Sequence, residues 1–277
     1  MEKHSIRFPA LAAVAMITLT VAPAAGAVVG ADVVLTADAT TVALTGEIYD
    51  DDTGVTLPAR VLLDGRVVFT GDFVALDPLM GNQATDNPGW RILGGAPNGD
   101  NIGLEPTGAL RFWDGSAWVA AVPAGERIRI TGKVGSFTVT TTDVTTSGTA
   151  GDPITFIDPI VGGGIHAHQD FTLADGSGAA FPGAAVGAYA FEARLVGFTS
   201  LRPYTSRQTP SEPFLLAFNH GLAADAFDDA VEALAPAPRA PAVVPLPGAA
   251  LALQALAAVL TGLGLLAWGH GRRHGRH

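Results

Sequence analysis

Between Val33 and Phe218 the apolar residues come in short runs, each closed by a residue that turns the chain. The clearest case is Arg60–Thr70, RVLL-DG-RVVFT, two apolar runs around Asp64-Gly65. Asp-Gly suits a two-residue type I′ hairpin, because both central residues of that turn need positive φ. Leu110–Val122, LRFW-DGS-AWVAAV, repeats the pattern with Gly115 at the turn. Further runs rich in β-branched and aromatic residues are Val33–Leu35, Val42–Ile48, Arg127–Ile130, Phe137–Thr142, Ile154–Ile157, Phe171–Leu173, Ala188–Phe198 and Phe214–Phe218. With Gly and Pro, 34 and 19 in the whole chain, frequent among the separators, this spacing predicts an all-β fold, an antiparallel β-sandwich. One stretch departs from it. Ala223–Leu234 places Ala223, Phe227, Val231 and Leu234 at helical spacing with acidic residues opposite, which predicts one short helix near the end of the body.

The two ends have a different character. Lys3 and Arg7 precede an apolar stretch, Pro9–Val21, and then the small residues Ala22–Ala27. That order predicts a signal peptide over 1–27, removed by signal peptidase; an uncleaved anchor helix is the alternative. At the other end a Pro/Ala linker, 235–243, leads to Val244, Pro245, Leu246 and Pro247. Ala249–Trp268 follows without a charge, and at about 1.5 Å per residue it reaches roughly 30 Å, one hydrocarbon thickness. The tail 269–277 carries Arg272, Arg273 and Arg276. Arginine is costly to translocate, so this tail is expected to stay cytoplasmic and the body, 28–234, to lie outside the inner membrane.

A Val-Pro-Leu-Pro motif, an apolar helix and an Arg-rich tail, in that order, resemble the PEP-CTERM sorting signals of Gram-negative bacteria in their VPLP variant. The resemblance covers 244–277 and implies recognition by an exosortase-type membrane protease. It further implies delivery to the cell surface, the outer membrane or an exopolysaccharide matrix. A plain single-pass anchor shares the same topology and differs in its final state.

Composition then limits the chemistry. The net charge is −10, and removing both ends takes away five basic residues but only Glu2, leaving a more acidic body. Nucleic-acid binding is therefore not expected. There is no cysteine, hence no disulfide framework, thiolate metal site or Cys nucleophile. No Gly-X-Ser-X-Gly string occurs, and Gly162-Gly163-Gly164 has no following Lys to make a phosphate loop.

The body keeps three histidines, His166, His168 and His220. On a strand, His166, His168 and Asp170 would point to one face, and two imidazoles one residue apart can reach one ion from the same side. The expected metal set is His166 and His168 with Asp170 or His220; the arrangement suits zinc or copper, and zinc is the expected ion. Polar histidines on a solvated strand face are the simpler reading. Calcium is the alternative ion, at the acidic turns Asp50–Gly54 and Asp175–Gly178, which hairpin geometry also explains. Trp90, Trp113 and Trp118 suit either a sugar-stacking platform or core packing.

Several strings in order resemble a group of bacterial PEP-CTERM exported proteins described as zinc-repressed. They are TDNPGW at Thr85–Trp90, LRFWDGSAW at Leu110–Trp118, IHAHQDFTL at Ile165–Leu173, GAYAFEARL at Gly187–Leu195, SEPFLLAFNHGL at Ser211–Leu222 and AVEAL at Ala230–Leu234. The resemblance implies that His166 and His168 are counterparts of a recurring His-X-His element, and it brings no enzymatic activity. The expected function is thus a non-enzymatic exported surface or matrix protein that binds zinc. Its expected partners are signal peptidase, an exosortase and exopolysaccharide. A secreted carbohydrate-binding module and, less favoured, a surface hydrolase are the alternatives.

Overall fold

The computed structural model describes residues 31–73, 83–134, 137–201 and 204–234. The signal peptide, the linker, the sorting motif and the transmembrane helix expected from the sequence lie outside these residues. Among the described residues no helix is long and apolar enough to cross a membrane.

The described chain is mostly β-strand. Its first strands are β1 (Ala31–Ala37), β2 (Val42–Asp50), β3 (Val55–Pro58), β4 (Arg60–Val61), β5 (Val67–Asp72) and β6 (Ala84–Thr85). Next come β7 (Gly89–Ile92), β8 (Asn101–Pro106), β9 (Arg111–Trp113), β10 (Trp118–Val119), β11 (Arg127–Val134), β12 (Phe137–Thr145) and β13 (Gly148–Gly151). The last are β14 (Thr155–Pro159), β15 (Ile165–Ala167), β16 (Asp170–Ala174), β17 (Gly187–Leu201), β18 (Tyr204–Ser206) and β19 (Phe214–His220), followed by one helix, α1 (Ala224–Glu232).

They form three sheets. The first has the order β15-β7-β1-β2-β3. The second, largest sheet runs β10-β9-β17-β19-β5-β4, with β8, β14 and β18 attached through β17 and β8. The third runs β13-β12-β11-β16-β6. Most pairings are antiparallel, as expected, but two are parallel: β1 with β7 and β5 with β19. Both join strands far apart in sequence, where no short turn dictates the direction.

One apolar core takes side chains from all three sheets: Val33 and Trp90 from the first, Phe191 and Phe218 from the second, Ile130 and Phe171 from the third. The largest sheet is buried on both faces. Along β17, Tyr189 and Phe191 face this core while Ala188 and Ala190 face α1, the two-residue alternation of a strand. The helix presents Phe227, Ala230 and Val231 to that outer face. Arg60 fastens it by ion pairs to Asp228 (2.7 Å) and Glu232 (2.9 Å).

The two hairpins expected around Gly65 and Gly115 form as β4–β5 and β9–β10. The first does not use a type I′ turn. Among the described residues only glycines have positive φ, so Asp64 does not adopt it, and Gly65 alone does, at 85°. The Gly65 amide bonds the Leu62 carbonyl and the Leu62 amide bonds the Arg66 carbonyl, which makes a three-residue loop ending in a left-handed glycine.

Candidate metal centre

Asp32, Asp51, His166 and His168 each aim one ligand atom at a common point, all four atoms lying within 4.8 Å of one another. They come from the first sheet. His166 sits on β15 opposite Arg91 of β7, and Asp32 sits on β1 opposite Gly89 of β7. Asp51 begins the turn after β2. Strand alternation does the sorting: Val33, Trp90 and Ile165 go inward to the core, while their neighbours Asp32, Arg91 and His166 go outward.

The spacing suits a small ion. Four donors about 2.0–2.1 Å from one tetrahedral centre lie roughly 3.3 Å from one another. His166 Nε2 is 3.3 Å from His168 Nε2, 3.1 Å from Asp32 Oδ2 and 3.4 Å from Asp51 Oδ2. His168 Nε2 is 3.6 Å from Asp32 Oδ1. Calcium wants six to eight oxygens at longer range, and this set has two nitrogens among its four donors. The group could therefore hold a metal ion.

Two surrounding groups set the donors' direction. His168 Nδ1 lies 3.1 Å from the Asp86 carbonyl; donating there leaves Nε2 free for an ion. Arg91 pairs with Asp51 Oδ1 and lies 3.4 Å from Asp32 Oδ2, with its guanidinium 4.1 Å above the Tyr49 ring. Asp51 thereby keeps its other oxygen toward the histidines.

Asp32 is the costly member. It is fully buried, and its Oδ1 has no hydrogen-bond partner. Burial pushes its carboxyl above the ordinary range; His168 and His166 oppose that push and Asp51 adds to it. A buried carboxylate oxygen left without a donor is strongly unfavourable, and a cation between it and the imidazoles removes that penalty.

Gly89 provides the room. A Cβ at this position would stand 2.6 Å from His168 Cε1 and 2.8 Å from its Nδ1, and would overlap Asp32 Oδ1.

The structure thus brings together His166 and His168 of the expected set and places Asp170 and His220 elsewhere. Asp170 was expected on the face of His166 and His168, but the strand ends at Ala167 and β16 begins in the third sheet. Buried Gln169 pins the crossing by donating to the Thr155 and Phe156 carbonyls, and Asp170 pairs with Lys133. His220 is buried at the end of β19 against Phe73. Burial holds its imidazole below the ordinary range, with the Ala184 backbone, Asp72 and Glu126 opposing.

Two ligands escaped the sequence reading. Asp51 lies in the turn considered for calcium. Asp32 left a trace, a lone carboxylate inside the apolar run ADVVLTA.

The other candidate features resolve as structure. Asp50 closes its own turn by accepting from Asp52 N, Thr53 N and Thr53 Oγ1. Asp175 does the same with Ser177 and Ala179. Trp90 is fully buried, and Trp113 with Trp118 packs under α1, where Trp118 Nε1 donates to the Ala230 carbonyl at 2.7 Å. They form no open stacking platform. Against known proteins, the chain matches no family model, no curated protein and no solved structure.

Proposed function

We propose that this chain is a non-enzymatic exported protein that binds zinc at Asp32, Asp51, His166 and His168. The observation that carries the reading is the convergence of two imidazoles and two carboxylates, their ligand atoms within 4.8 Å of one another, beside a buried carboxylate oxygen without a hydrogen-bond partner. The three sheets around one core are read as a β-sandwich body. The ends of the sequence support secretion through a signal peptide, transit as an inner-membrane-anchored form, and sorting by an exosortase to the surface or matrix, in contact with exopolysaccharide.

Metal analysis of the purified protein tests the binding reading. It should find close to one zinc per chain, and His166→Ala with His168→Ala should remove it; equal zinc in the double variant would defeat the reading. Sorting is tested separately by intact mass. The surface form should lack Ala249–His277, and a full-length mature chain would leave a membrane anchor instead.

A further inference from the structure

We infer that the metal is a cross-strand staple: it ties β15 to β1 across the glycine gap at Gly89 and makes the order of the first sheet conditional on the ion. The inference deepens the zinc-binding reading and rests on it.

The strand order carries the argument. β15 and β1 are not neighbours; β7 lies between them. His166 and His168 nevertheless meet Asp32: Arg91 of β7 stands opposite His166, but the residue between His168 and Asp32 is Gly89, which has no side chain to part them. An ion held there links second-neighbour strands, which backbone hydrogen bonds cannot do. It also gathers three segments that are distant in sequence, around residues 32, 51 and 166–168.

β1 is firmly held by β2 over six positions, but β15 is weakly held otherwise. β15 has three residues and pairs within its sheet only with β7; β7 in turn pairs with β1 over three positions, in parallel. No cysteine exists in the chain to staple them. Without a cation the same spot sets buried Asp32 beside Asp51, with Arg91 bridging the two. Asp32 Oδ1 is then buried without a hydrogen-bond partner, a cost to the closed sheet that a cation relieves. The ion both joins the segments and neutralises the reason for them to part.

The role of Gly89 is therefore specific. It is not a ligand, yet its replacement closes the gap through which the ligands meet. Gly176 is a fair control, since a Cβ there meets only Arg127 Nη2 at 3.7 Å.

The experiment uses the purified full chain, metal-stripped and then titrated with Zn²⁺, read by thermal unfolding, hydrogen exchange and bound metal. At a hundredfold excess over Kd, Tm should rise by roughly 5–10 °C, and amide protection should increase in β1, β7 and β15 more than in β17 and β19. Gly89→Ala should lose zinc with all four ligands intact, whereas Gly176→Ala should keep it. Should Gly89→Ala fail to fold, Asp32→Asn serves instead: it should fold without metal and gain no Tm on adding zinc. Stoichiometric zinc with unchanged Tm and unchanged protection would overturn the staple and leave the binding site standing. Zinc retained by folded Gly89→Ala would overturn the role of the gap. No zinc in the unaltered protein would overturn both the staple and the binding reading.

Discussion

Glu126 is 2% exposed, and both of its oxygens serve the backbone. Oε2 accepts from the Ala124 amide at 2.8 Å and Oε1 from the Ala185 amide at 3.0 Å. One side chain thus closes its own turn and ties it to the loop before β17, where Tyr189 donates to the Ala185 carbonyl at 2.8 Å. Burial pushes the Tyr189 phenol far up, and Glu126 pushes it further. Glu126→Gln puts an amide N–H₂ against one of those backbone donors, so it should cost about 1–3 kcal/mol in urea unfolding. An unchanged midpoint would show that the loops hold without it. Within PAGERIRI only the turn contact to Ala124 is local; the tie that gives this glutamate its role is to Ala185, 59 residues away. Asp32 and Gly89 hid for the same reason: one ligand atom and one missing Cβ acquire meaning only when β1 and β7 pair. His166 and His168 were legible because their relation is two residues long.

At the scale of elements, the turns share one device. Asp38, Asp50, Asp114 and Asp175 each receive backbone amides and hydroxyls from the next few residues. Their carboxyls fall below the ordinary value, Asp38 through the Thr40 amide to about 2, Asp50 through the Thr53 hydroxyl, Asp114 through the Ala117 amide and Asp175 through the Ser177 hydroxyl. The native state therefore holds these groups ionised more firmly than the unfolded chain does. Their contribution is complete well above the ordinary value of 3.8 and is lost as pH falls through the lowered values toward about 2. Urea midpoints in metal-free buffer should drop across that acid window, and the drop should be shallower in Asp38→Asn. The helix depends on packing instead. Its N-cap is Ala223, with no side-chain cap, so α1 forms because Phe227, Ala230 and Val231 bury against the sheet. Phe227→Ala should destabilise by about 3–5 kcal/mol, measured by denaturation; a loss below 1 kcal/mol would mean that the helix is not part of the cooperative unit. Helix and hairpins were readable because their signals are local. The strands β7 and β8, which carry Gly, Pro and Asn, and the three-residue β15 were not, and are recruited by their neighbours.

For the whole molecule, the β character follows from turn chemistry and short apolar runs, while the strand order does not. Neither parallel pairing has a turn to announce it. The pairing of β5 with β19 joins Val68 to Leu215, and β1 with β7 joins Val33 to Trp90. Closing such loops precedes the contacts that reward them, so refolding followed by tryptophan fluorescence should fall in the millisecond-to-second range rather than the microsecond range. The position of β19 has a consequence for synthesis. It lies between β17 and β5 in the largest sheet, and it is the last strand described before α1. Whether the chain emerges from a ribosome or a membrane channel, β5 waits with one edge open until residue 214 arrives. The outer face of the sheet stays bare until α1 follows. The middle of the largest sheet is thus the last part to be built, and a chain arrested before Phe214 holds every strand of the first and third sheets but lacks the one that joins β17 to β5. Closure of the largest sheet, and with it the shared core, is therefore timed by the end of the body rather than by its beginning.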